Sequence, residues 1–127
     1  MDISSFLVVI VFCFLLFMEN ETEVEAARNK LGLALGHLYR NLEDLRDSIH
    51  PNAREIDKRI DRSMRLIDDV RAQIRAARPR NARKIKETIG MVPSIPRSAS
   101  SLSTEEWDKL FDRIERLCKQ ISMALHS

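Results

Sequence analysis

Most residues of this chain that could do chemistry are scattered, but one group is not. Between positions 71 and 86 stand seven bases and no acid: Arg71, Arg75, Arg78, Arg80, Arg83, Lys84 and Lys86. Such a stretch suits three kinds of counter-charge. Anionic lipid headgroups give about 1 kcal/mol per base close to a membrane surface. Nucleic-acid phosphates are the second, although no aromatic side chain interleaves the bases to stack on a nucleotide. The third is internal: Arg71 and Arg78 are seven residues apart, as are Asp108 and Glu115. Matched edges of two helices are therefore expected to join through these four, at about 0–1 kcal/mol per exposed pair.

Elsewhere the ingredients of catalysis are missing. His37, His50 and His126 lie far apart, with no cysteine or second histidine within a turn, so no metal-ligand spacing exists. The carboxylates fall in repeating helical charge patterns. The chain has only three glycines, which excludes a phosphate-cradling loop, and no nucleophile elbow or dinucleotide fingerprint occurs. The expectation is a noncatalytic protein without cofactor or metal. Cys13 and Cys118 do not suit an intrachain disulfide, and Cys118, set among apolar helical positions, reads as a buried thiol. The serines between Arg97 and Ser103 read as a flexible polar linker, with phosphorylation as the functional alternative.

The spacing of apolar residues defines the elements that must carry these groups. Leu31, Leu35, Leu38, Leu42, Leu45 and Ile49 alternate steps of four and three, a heptad seam predicting a helix over 21–48. Val24 extends the seam backwards, and Arg28 is its one polar break. His50-Pro51-Asn52 ends the helix, because a residue before proline is pushed out of the α region, and Asn52 is placed to cap the next. A second seam, through Ile56, Ile60, Ser63, Ile67, Val70 and Ile74, runs to about Arg78. Glu55–Arg59 and Asp61–Arg65 are spaced as external i,i+4 pairs. A short basic helix over 80–89 should end at Gly90, and Pro93, Pro96 and the serines mark a linker. Ser103 and Glu106 have capping-box spacing. Trp107, Phe111, Ile114 and their neighbours then give the last helix an apolar face wider than a two-stranded seam. Gly32 and Gly36, in GxxxG spacing, are expected to mark the close approach of a neighbouring helix, or a dimer contact.

The N-terminus differs from all of this. Residues 6–18 (FLVVIVFCFLLFM) are apolar without a break, and counting from Ile3 the run is sixteen residues long. A span needs about 17–25 residues, so the run is short for one, whereas about 7–15 suffice for a signal peptide. A small-residue cleavage site at Val24-Glu25-Ala26 would leave Ala27 first, but four acids between residues 19 and 25 precede it. An uncleaved anchor is the preferred reading and a cleaved signal its alternative. Arg28 and Lys30 on the far side favour a cytosolic body under the positive-inside rule. Asn20-Glu21-Thr22 fits the glycosylation pattern that would need the reverse, and reads as a chance match.

The fold expected is all-α: an N-terminal hydrophobic helix followed by a three-helix bundle or coiled-coil-like domain. The divisions are 1–20 as signal-anchor or signal peptide, 21–90 as an antiparallel helical pair plus the basic helix, 91–103 as linker, and 104–127 as the closing helix. The function expected is a membrane-anchored helical adaptor or scaffold, single-pass through residues 3–18, acting by contact with a protein partner or a second copy. Its candidate helix-interaction face is Leu31, Leu35, Leu38, Leu42, Leu45, Ile60, Ile67, Ile74, Trp107, Phe111 and Ile114. A secreted helical effector is the alternative.

Overall fold

Heptads of leucine and isoleucine, few glycines and sparse β-branched runs leave the backbone little alternative to helix. The computed structural model describes residues 3–48, 54–97 and 102–126, and it is all-helical, with no strand among the described residues. Among the described residues the helices are α1 (Ile3–Asp47), α2 (Arg54–Ala76), α3 (Ala82–Ile89) and α4 (Thr104–Leu125). Asn52, expected to cap α2, and the serines at 98, 100 and 101 lie outside the described residues.

The first departure from expectation is α1. The apolar run and the first seam are one uninterrupted helix of 45 residues, about 68 Å long at 1.5 Å per residue. Nothing in residues 19–30 breaks it. The acids there are good helix formers, and no proline or glycine intervenes before Gly32.

The helices close on one core. α1 packs against α2 and α3, and α4 packs against α2 and α3; α1 and α4 are not in sustained contact. The arrangement is a ring in the order α1, α2, α4, α3. A core of only α1, α2 and α4 was expected, but α3 supplies a fourth wall with Ala82, Ile85 and Thr88. All the described seam leucines of α1, from Leu31 to Leu45, are buried, as are Ile60, Ile67 and Val70. Ser63, the polar position of the second seam, is buried with them.

Local chemistry sets the ends. Asn81 accepts from the amides of Arg83 (3.1 Å) and Lys84 (3.3 Å), starting α3. Ser103 Oγ accepts from the Glu106 amide at 3.2 Å, and Glu106 Oε1 accepts from the Ser103 amide at 3.4 Å, so the capping box forms. The segment between α3 and α4 is not simply a polar tether. Pro93 is buried, and Val92, Ile95 and Leu102 pack on the core.

Candidate functional site

Two features stand out on this frame: the N-terminal part of α1 and the basic end of the α2–α3 corner. From Ile3 to Leu15 the large apolar side chains are 48–78% exposed, and they point in every direction around the helix. Cys13 is exposed among them. Helices that are apolar all round are ordinarily covered, either by protein or by lipid. In sequence the run continues through Leu16, Phe17 and Met18, whose side chains are not among those described. Among the described residues no helix is long and apolar enough to cross a membrane.

The body begins one turn and a half beyond this rod, where Val24 and Ala27 become buried. Arg28, the polar break in the seam, explains how that end is organised. Its Nη2 donates to the carbonyl of Ile74 and to that of Arg75 (3.4 Å), in the last turn of α2. The last carbonyls of a helix have no intrahelical partner and carry its negative pole, so a guanidinium from another helix is a fitting cap. Nε of Arg28 is buried without a hydrogen bond, and Glu25 lies 3.7 Å from Nη1. The contact fixes direction as well: α2 descends towards the apolar rod as α1 leaves it. On the other side of α2, Arg59 pairs with Asp108, Arg62 with Glu115 (3.5 Å), and Ser122 donates to Gln73 (2.8 Å). The order of these contacts makes α4 parallel to α2.

The expected pairing of Arg71 and Arg78 with Asp108 and Glu115 is therefore corrected. The two acids sit on α4 level with the first half of α2, where Arg59 and Arg62 reach them first. The external pairs Glu55–Arg59 and Asp61–Arg65 give way for the same reason. Arg59 turns to Asp108 and lies 4.7 Å over the Phe111 ring; Asp61 accepts from Arg46 of α1 at 2.8 Å, which holds that guanidinium still more firmly protonated.

The seven bases of the 71–86 stretch separate into two sets. Arg71 is turned inward along α1: it lies 3.9 Å from Asp68, 5.9 Å over the Tyr39 ring, and beside Gly36. Arg75, Arg78, Arg80, Arg83, Lys84 and Lys86 are exposed at or beyond the end of α2. Of these only Arg83 has an ion pair among the described residues, with Glu87 at 3.6 Å on its own helix.

The eleven residues of the candidate interaction face are all buried in the chain's own core: Leu31, Leu35, Leu38, Leu42 and Leu45 on α1, Ile60, Ile67 and Ile74 on α2, and Trp107, Phe111 and Ile114 on α4. Trp107 and Phe111 stack with centroids 5.6 Å apart. The GxxxG pair does not serve as the seat of a neighbouring helix. A Cβ built on Gly32 would meet nothing within 4 Å, and one on Gly36 would meet only the end of Arg71. A groove along the outside of α1 and α2 runs past both glycines, bounded by Arg28, Leu33, Tyr39, Arg40, Arg71 and Arg75. Leu33 stands in it at 68% exposure.

No group of three or more histidine, cysteine or acidic side chains is gathered for a metal among the described residues. Cys118 is buried, and burial, with lesser contributions from Asp69 and Glu115, pushes its thiol up to about 11. At neutral pH it is an inert thiol rather than a nucleophile. Comparison with protein-family models, with curated proteins and with solved structures finds no match.

Sequence reasoning passed over two functional placements. In the sequence Arg28 stands as the polar break of a seam and as one of two bases past the apolar run, and the break is the signal for its cap: a base in an apolar register needs a buried acceptor. The segregation of Arg71 from the other bases had no signal in the sequence, because it depends on where α2 ends against α1.

Proposed function

We propose that this chain is a noncatalytic membrane-anchored helical adaptor: an apolar rod embedded in a bilayer, carrying a small helical bundle that meets a protein partner. One observation carries the reading: ten large apolar side chains between Ile3 and Leu15 are exposed around the whole circumference of α1. Leaving them in water forgoes about 25 cal/mol for each Å² that lipid would cover. At about 1.5 Å per residue, the sixteen-residue run reaches about 24 Å, short of a ~30 Å hydrocarbon core. Local thinning of the bilayer accommodates such a difference at fractions of a kcal/mol per Å.

The bundle part works through its outer surface. The seams are filled by the chain's own helices, so a partner meets the groove beside Gly32 and Gly36 and the exposed Leu33. Retention of the apolar segment is supported by the place of Val24 in the core, since cleavage after Ala26 would remove it.

The test is to express the full chain, separate membranes from soluble material, extract with alkaline carbonate and measure the intact mass. Full mass in the carbonate-resistant pellet is expected. A soluble product beginning at Ala27 would replace the anchor with the secreted reading.

A further inference from the structure

We infer that the corner between α2 and α3 is a lipid-facing collar, in which Arg75, Arg78, Arg80, Arg83 and Lys84 bind the headgroups of anionic phospholipids in the leaflet that the rod enters. The inference rests on the anchor reading for where the bilayer lies, and on the fold for which residues meet it.

Height along α1 decides the matter. The Arg28 cap ties the last turn of α2 to a point ten residues past Met18, or about 15 Å along the axis at 1.5 Å per residue. α2 descends to Ala76, so the corner begins at about that height, and Lys84, which lines a pocket with Met123 and Ala124 of α4, is level with the last turn of α2. Val24, buried in the body about 9 Å beyond Met18, marks how far the packing descends. A bilayer ending near Met18 therefore has its headgroup zone against this corner, within a Debye length of about 8–10 Å. Arg71 is excluded by the same measure. It sits beside Gly36, about 27 Å above Met18, and is occupied by Tyr39 and Asp68.

Charge at this end is uneven but net positive. The helix carries Glu19, Glu21, Glu23 and Glu25 just above the rod. Against these four stand the five collar bases with Arg28 and Lys30. The only acid within ion-pair reach of a collar base is Glu87 beside Arg83, among the described residues. Exposed bases with no internal partner lose little on meeting phosphate, and guanidinium in particular grips it with paired N–H donors. The corner is also preformed: Asn81 caps α3, and Pro79 and Ile85 are buried beneath the bases. Little ordering is left to do on binding.

The probe is the full chain with vesicles of phosphatidylcholine alone, or of phosphatidylcholine mixed with phosphatidylserine, followed by flotation and by amide hydrogen exchange of the segment 75–90. Flotation with both vesicle types, with exchange of 75–90 slowed several-fold only on the phosphatidylserine vesicles and restored by high salt, is the expected result. Replacing the five collar bases by glutamine should remove that slowing while flotation and helicity persist; Arg71→Gln should leave it intact. Flotation with both lipids but equal exchange at low salt overturns the collar and leaves the anchor standing. Flotation with the anionic vesicles alone overturns the anchor, and with it the collar as the rod would place it, and flotation with neither overturns both.

Discussion

At the scale of single residues, Arg28 and Gly32 have opposite consequences. Arg28 interrupts an apolar seam, yet it is the cap on the C-terminus of α2. Arg28→Met would keep the aliphatic bulk and strip the donors from carbonyls that have no replacement. A loss of about 1–3 kcal/mol is expected in urea denaturation, the range for an unsatisfied buried polar group. Gly32, in contrast, has open space where its Cβ would be. Gly32→Ala should therefore stabilise the chain by about 0.5–1 kcal/mol, the helix-propensity difference, with no steric penalty. A loss of stability together with a loss of self-association would mean that a second copy fills the groove.

Among the elements, what was legible in the sequence followed from periodicity. Leu31 to Leu45, Ile60 to Ile74, and the Trp107–Phe111 face are buried where a 3.5-residue repeat put them, because burial depends on register alone. The capping box at Ser103 was legible for a similar reason, since its chemistry spans only three residues. Partners of long side chains were not. Arg59 had Glu55 one turn away and took Asp108 from another helix, a choice set by the stagger of α2 against α4. The wall formed by α3 was hidden as well, because eight residues hold too few repeats to announce an apolar face. The seam gives the sharpest test at this scale. Leu38→Asp would place a carboxylate with no partner in the middle of α1's buried face, which costs several kcal/mol. Collapse of the cooperative thermal transition is expected, and an unchanged melting curve would mean that α1 is not packed on α2 and α3.

Over the whole molecule, the unbroken course of α1 is what turns a sequence boundary into mechanical coupling. Rod and body share one helix, so under the anchor proposed above a bilayer would fix the height and tilt of everything that α1 carries. That coupling has a measurable consequence. Seven residues of glutamine, glutamate and lysine with no net charge, inserted between Met18 and Glu19, would extend α1 by two turns without lengthening the apolar run, raising the body about 10 Å at 1.5 Å per residue. All three are good helix formers, so the insertion should lengthen α1 rather than hinge it. A lift of that size carries the α2–α3 corner past the Debye length of about 8 Å at physiological salt. The readout is a fluorophore on Ala76→Cys, an exposed position at the end of α2, in a Cys13→Ser chain whose remaining Cys118 is buried and unreactive. A quencher attached to lipid headgroups should dim this dye in the parent chain and should lose most of that effect after the insertion, while carbonate resistance stays the same. Equal quenching in both chains would show that the stalk bends and the body follows the surface. In that case the corner is held down by its own attraction to the headgroups, and α1 does not act as a spacer.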